Sequence, residues 1–397
     1  MMISLIAELL FWLTTGFIVY TYIVYPVLLI LISSVYQSFK DTSYLISKAS
    51  RRKRNADLPE ITIVIAAFNE EKFIGERVTN LLSIDYPADK LNVLIGSDGS
   101  SDATNEILDS FSDPRLTTVQ FAENRGKINV LNDLMSQVKT PITVFSDANT
   151  FFEKDAMLSL VSDFRHPEIG GVCGELHLYD AVSGDNKDDL YWKYEQVLKF
   201  HESRINAMLG ANGAIYGIRT KLYQPLQSDT IVDDFCIFMN VAKQGYKVTY
   251  NPEAGAKEEI APNLAQESTR RVRIGAGNFQ AMMRLTWMLN PLIGWRFFSY
   301  FSHKILRWFV PHFMVIALLT NVYMAFDSII YQTILIFHVL FYLLAIIGKR
   351  WSPSGNGKIA MVIKLITFFV SMNVSLGMGF IRFTTTSLSA TWERTAR

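Results

Sequence analysis

Four long stretches of the chain, 9–39, 308–326, 328–348 and 365–381, contain no charged side chain. A lipid core holds no water to bond backbone N–H and C=O groups, so a chain crosses it only as a helix or a closed barrel. A crossing helix needs about 20 mainly apolar residues, and each stretch approaches that length. The chain therefore reads as a membrane protein whose water-soluble part lies between its first and second spans. The first stretch is too long and too rich in Tyr and Thr for a signal peptide, and it lacks a clear cleavage site. The last holds Ser371, Asn373, Ser375, Gly377 and Gly379, so a buried or re-entrant helix competes with a span there.

Basic residues beside the spans set the orientation. Lys40, Lys48, Arg51, Arg52, Lys53 and Arg54 follow the first span, and Lys304 and Arg307 precede the second. Lys349, Arg350 and Lys358 lie between the third and fourth, whereas Asp327 is the charge in the turn between the second and third. This predicts an integral protein of the cell (inner) membrane with its N-terminus outside and the middle of the chain cytoplasmic. Four full spans put 382–397 outside, and a re-entrant last segment returns that tail to the cytoplasm. The net charge of +1 gives no bulk attraction to nucleic acid. Cys173 and Cys236 are too few for a disulfide framework and read as reduced core residues.

The soluble part alternates apolar runs with helical stretches. Ile142, Val144 and Phe145 follow Pro141 and end in Ser146-Asp147-Ala148-Asn149; similar runs cover 61–67, 91–95, 116–121 and 172–176. This alternation predicts an α/β domain with a parallel sheet and helices on both faces. Ligands collect at the carboxyl ends of strands in such sheets. Phe68-Asn69-Glu70, Asp98 and Asp147 stand at three of those ends, and Lys127 opens a helix near by as a cationic partner for phosphate. The hard oxygens of Asp147 and Asn149 suit Mg²⁺ or Mn²⁺ held between protein and a diphosphate. Neither G-x-G-x-x-G nor G-x-x-x-x-G-K-[ST] occurs, so neither a dinucleotide fold nor a P-loop is supported.

In order and spacing, Ala66-Ala67-Phe68-Asn69-Glu70, Ser97-Asp98-Gly99-Ser100-Ser101-Asp102, Gly126-Lys127, Asp147-Ala148-Asn149 and Val232-Asp233-Asp234 resemble the inverting family 2 glycosyltransferases with a GT-A fold. The chain is most similar to the membrane-integrated branch that includes cellulose, hyaluronan, chito-oligosaccharide and poly-N-acetylglucosamine synthases. The resemblance implies a fold class: α/β, GT-A type, a nucleotide-binding and mostly parallel sheet with helices on both faces, as a cytoplasmic domain flanked by transmembrane helices. It divides the chain into an N-terminal transmembrane helix (1–39), a basic juxtamembrane linker (40–58) and the GT-A domain (59–274). Amphipathic interface helices (275–307), three C-terminal transmembrane segments (308–381) and a tail (382–397) follow. The final Trp392-Glu393-Arg394-Thr395-Ala396-Arg397 also resembles the tail of this branch.

The resemblance also implies roles. Ala66, Ala67, Phe68, Asn69, Glu70 and Asp98 would hold the nucleoside, and Lys127 would contact the nucleotide. Asp147 would sit beside the metal and diphosphate, with Asn149 where many members carry a second Asp. Asp234 matches the last residue of the family's T-E-D and would be the general base, with Asp233 beside it facing the acceptor. Gly210, Ala211 and Asn212 fall in acceptor territory. Arg271 and Arg273 match the basic positions of Q-[QR]-x-R-W and would neutralise the diphosphate. Arg270 and Ile274 depart from the Gln and Trp of that motif, and Ile274 favours a single transfer over processive synthesis.

The function implied is transfer of a sugar from a nucleotide-sugar donor, UDP-linked, with Mg²⁺ or Mn²⁺, to a growing surface polysaccharide. The partners implied are the donor, a carbohydrate or lipid-linked acceptor, membrane lipids, and a homo-oligomer or export partner. Single transfer to a polyprenyl-phosphate acceptor is the nearest rival. A non-catalytic membrane scaffold is a rival of another class, which the intact Asp98, Asp147 and Asp234 oppose.

Overall fold

A computed structural model describes residues 2–47, 58–179, 190–259, 264–351, 357–386 and 388. The basic residues Lys48, Arg51, Arg52, Lys53 and Arg54 and the segment 389–397 lie outside the described residues. The chain divides into a helical unit (Met1–Leu28, Leu264–Met283, Tyr300–Ser387) and an α/β unit (Leu29–Asn263, Arg284–Ser299, Leu388–Arg397).

In the α/β unit the apolar runs form β1 (Ile61–Ala67), β2 (Leu91–Asp98), β3 (Leu116–Phe121) and β4 (Ile142–Asp147). Every residue of β1 is buried, as expected of a strand covered on both faces. The others are β5 (Thr150–Phe152), β6 (Ile169–Tyr179), β7 (Tyr216–Arg219) and β8 (Lys247–Glu259). They form one sheet in the order β3-β2-β1-β4-β7-β6-β8-β5. The register pairs Ala66 with both Gly96 and Asp147, so the carboxyl ends of β1, β2 and β4 finish level with one another.

Ile61, Ile63 and Ile65 share a core with Ile74, Val78 and Leu81 of the helix Ile74–Leu82. On the other face, a Cβ added at Gly96 would stand 2.6 Å from Val130 Cγ1. Glycine there lets the helix Lys127–Met135 press onto β2.

The parallel expectation holds for β1 with β2 and β4, for β2 with β3, and for β6 with β8. The sheet is nonetheless mixed, because β7 runs antiparallel between β4 and β6, and β5 antiparallel to β8. β7 enters from the Gly-rich loop beside the end of β4, so it runs back along that strand.

The helical unit is built on long apolar helices. Met2–Thr42, Trp295–Met324, Ile329–Arg350 and Lys358–Thr385 are long and apolar enough to cross a membrane. At about 1.5 Å per residue, even the 22-residue helix exceeds a hydrocarbon core of about 30 Å. The first is interrupted by a π-helical turn, Tyr20–Val24, just before Pro26. A second π-helical turn, Tyr300–Ile305, precedes the helix Leu306–Met324, and Tyr20 Oη lies 2.8 Å from Ser302 Oγ.

Small residues of the last helix serve packing. A Cβ on Gly379 would stand 2.8 Å from Gly275 Cα, and one on Gly377 would stand 3.3 Å from Pro311 Cβ. Phe279 sits among Trp308, Phe309, Phe380 and Phe383. Asn373 and Ser375 are buried, and Asn373 Nδ2 donates to Phe369 O at 2.9 Å.

Candidate active site

Loops leaving the level ends of β1, β2 and β4 lock together through short polar side chains. Asn69 adopts a left-handed backbone, φ 55°, which a short amide side chain tolerates. Its Oδ1 accepts from Ser101 N at 2.8 Å, and its N–H donates to Ser100 Oγ at 3.0 Å. Glu70 N donates to Thr104 Oγ1 at 2.8 Å. Gly99, φ 65°, is required where a Cβ would strike the backbone of Glu123 and Asn124 at 2.5–2.6 Å.

Asp98 has no exposed surface. Its Oδ1 accepts from Arg125 N at 2.9 Å and its Oδ2 from Gly126 N at 2.8 Å. Both oxygens therefore hold the loop that launches the helix Lys127–Met135 and presents Lys127.

Lys127 Nζ donates to Asp147 Oδ1 at 2.8 Å and lies 3.3 Å from Asp233 Oδ2. The three side chains are 22, 33 and 13 % exposed, so the cluster is half-sunk but open. Burial works against the Lys127 ammonium, but Asp147, Asp233 and Asp234 outweigh it and hold its pKa above the usual lysine value. Asp233 and Asp234 open the helix Asp233–Lys243, where acids suit the positive end of the helix dipole. Asp234 Oδ1 accepts from Phe235 N at 2.7 Å. Burial and then the neighbouring Asp233 push the Asp234 carboxyl up to about 6, against the pull of Lys127.

The Gly-rich loop closes one side. A Cβ on Gly213 would stand 3.0 Å from Asp147 Oδ2, and Gly210, φ 75°, lies against the Phe235 ring. Asn212 spends both ends on backbone: its Nδ2 donates to Gly174 O at 3.0 Å and its Oδ1 accepts from Ile215 N at 3.1 Å. Ala211 is half-buried beside it.

Among the described residues no three His, Cys, Asp or Glu side chains form a metal-binding group. A single half-buried carboxylate such as Asp147, with one oxygen on Lys127 and the other toward Gly213, fits Mg²⁺ or Mn²⁺, cations that keep much of their coordination for water and substrate phosphates. Asn149 is 8 % exposed and its Nδ2 donates to Glu258 Oε1 at 3.1 Å, so its amide is tied to β8.

Arg271, Arg273 and Ile274 stand on the helix Leu264–Arg284, in the helical unit. Arg271 stacks 5.2 Å from the Phe368 ring centroid, and Ile274 is 37 % exposed.

Sequence reading missed Arg77, Ser146 and Tyr216. Tyr216 is buried and stacks on Phe145 at 4.9 Å. Burial, then Asp233 and Asp234, push its phenol well above the usual value. Arg77 had a signal: it falls three residues after Ile74 and one before Val78, on the apolar face of its helix.

Such a sheet, with its acids and a lysine gathered at the strand ends, defines a GT-A-type glycosyltransferase domain. Residues 62–224 match the family described as Glycosyl transferase family 2, and this stretch is a domain of that family. A poly-beta-1,6-N-acetyl-D-glucosamine synthase of Staphylococcus aureus is 26 % identical over 279 residues, 66 % of this chain and 65 % of the relative. The synthase of the same name from Staphylococcus epidermidis is 25 % identical over 236 residues, 57 % of this chain and 56 % of the relative. The match thus spans less than two thirds of the length of these relatives. Among solved structures, the mannosyltransferase PcManGT from Pyrobaculum calidifontis, in complex with GDP-Man and Mn²⁺, superposes with a TM-score of 0.69 at 18 % identity. That alignment covers 96 % of this chain and 99 % of the mannosyltransferase, and it shows a shared fold.

Proposed function

We propose that this family 2 glycosyltransferase moves a sugar from a nucleotide-sugar donor, UDP-linked, with inversion onto a growing surface polysaccharide at the inner membrane. The observation that carries this reading is the cluster at the strand ends, where Lys127 Nζ lies 2.8 Å from Asp147 Oδ1 and 3.3 Å from Asp233 Oδ2, and where burial and Asp233 raise the neighbouring Asp234 carboxyl to about 6. A base with that value is ionised at neutral pH yet able to take a proton. Asp234 accepts the proton of the acceptor hydroxyl as the hydroxyl oxygen bonds to the anomeric carbon on the face opposite the diphosphate. The bond from that carbon to the diphosphate oxygen breaks, and its electron pair leaves with the diphosphate. Lys127 supplies fixed positive charge on the donor side. Asp147, with Asn149 beside it, would hold a divalent cation that adds charge against the departing diphosphate. Residues 66–70 and Asp98 shape the nucleoside side, and Gly210, Ala211 and Asn212 the acceptor side.

The name of the staphylococcal relatives supports a polysaccharide product. The catalytic domain would be cytoplasmic and the N-terminus outside, from the basic residues beside the spans. A second reading, single transfer to a lipid-linked acceptor, is favoured by Ile274, which stands exposed at the position that the Q-[QR]-x-R-W motif gives to Trp. Purified protein offered a panel of UDP- and GDP-sugars should release nucleotide from one of them. No release from any donor counts against transfer, and release with a product one sugar longer selects the second reading.

A further inference from the structure

A guanidinium lies buried beneath the end of β4, and its bonds bracket the turn that carries Asp147. Arg77 has no exposed surface and is the largest fully buried side chain among the described residues. Taking a charge out of water is costly unless it is paired, yet among the described residues Arg77 makes no ion pair. Its partners are neutral. Nη2 donates to Ser146 Oγ at 2.8 Å, Nη1 donates to Asn80 Oδ1 at 2.7 Å, and the guanidinium lies 4.1 Å from the Phe152 ring centroid.

Each partner passes the tie on. Ser146 Oγ donates to Ala214 O at 2.7 Å, next to Gly213, which walls Asp147 Oδ2. Asn80 clasps β5, accepting from Phe152 N and donating to Phe152 O, each at 2.9 Å. One side chain therefore anchors Ser146 and Phe152, and Asp147 and Asn149 stand between those anchors. The planar fork that bonds two acceptors while stacking on a ring is a property of arginine that lysine lacks. Burial pulls Arg77 down to about 9, opposed by Asp147, so it remains a cation at neutral pH.

We infer that Arg77 is a positioning residue: through Ser146 and Phe152 it fixes Asp147 where a donor diphosphate and its divalent cation are bound. The inference rests on the transferase reading for the chemistry at Asp147. Ligand-orienting partners of this kind typically change metal affinity by about 10–100-fold when removed.

The test uses Arg77→Lys, which removes the planar fork, and Ser146→Ala, which leaves the Arg77 cation in place and changes only the position of its tie. Mn²⁺ binding is read from the spin-resonance signal of free Mn²⁺, with UDP and separately with GDP present, per folded molecule counted from the thermal transition. Both variants are expected to bind Mn²⁺ about tenfold more weakly, whereas Thr79→Ala, on the exposed side of the same helix, binds as the unmodified protein does. Ser146→Ala is the milder change and decides the matter if Arg77→Lys does not fold. Unchanged Mn²⁺ affinity with a lowered melting temperature reduces Arg77 to packing and overturns the inference. So does an unmodified protein that binds no Mn²⁺ with either nucleotide. Nucleotide release measured on the same samples separates the two ideas. Weakened Mn²⁺ binding alongside no turnover of any donor leaves the positioning role standing and removes the transferase reading.

Discussion

Asp234 gathers the sharpest tests at the scale of single residues. Asp234→Asn keeps the shape and removes the basicity, so transfer should fall by roughly 10²–10⁴-fold with nucleotide affinity retained. Nucleotide release and calorimetric titration measure the two separately, and near-normal turnover rejects the assignment. The pH profile has a defined sign. A base must be ionised, so kcat/KM should rise with pH, half-complete near the value of about 6 set by burial and Asp233. Asp233→Asn removes a like charge and should move that limb to lower pH; a limb that stays put assigns it to another group. For the metal, excess EDTA should abolish activity, and Asp147→Ala should cost more than Asn149→Ala. The reverse ranking means their roles are exchanged.

Lys127, Asp147, Asp233 and Asp234 were legible because each sits in a short motif at the end of a strand or start of a helix. The structure brings the four within electrostatic reach of one another. Arg77 and Tyr216 were not singled out, because each matters only through neighbours distant in sequence: Ser146, 69 positions from Arg77, and Phe145, on which the Tyr216 ring stacks.

Elements differ in legibility for a physical reason. β1, β2 and β4 read clearly because both faces are covered and their apolar residues run together, whereas the edge strand β3 has no buried residue and was legible only from its place in the alternation. β8 did not read clearly, because Asn251, Pro252 and Gly255 interrupt it as turn residues do. Its pairing with β6 shifts there: Cys173 faces Tyr250, yet Glu175 faces Gly255. β5 has only three residues and depends on Asn80 to hold its last one. The long apolar helices were plain from charge alone, but their contacts were not. Gly379→Leu should force apart the helices Leu264–Arg284 and Lys358–Thr385, which approach at Gly275. Overpacking of that kind costs about 1–3 kcal/mol, to be read as a lower melting temperature in detergent; an unchanged melt means the crossing is loose.

Product length belongs to the scale of the whole molecule. We expect the reconstituted protein, given donor on the side of the catalytic domain in sealed vesicles, to yield a ladder of long chains partly protected in the lumen. A product one sugar longer, left on a lipid, selects single transfer. Asn373 and Ser375 are buried in helix packing, so a conduit for the chain would draw its polar lining from other residues or from a second copy. Asp98 has a consequence of another kind. Asp98→Asn would turn an amide N–H₂ toward one of the two backbone N–H groups now bonded there, at a cost of about 1–3 kcal/mol. Folded proteins hold a margin of only about 5–15 kcal/mol, and chaperones and proteases in the cell sort chains by that margin. Inherited variation at this position should therefore register twice, as scarcity, fewer molecules surviving to reach the membrane, and as weaker donor binding in those that do, because the same carboxylate holds the loop that presents Lys127.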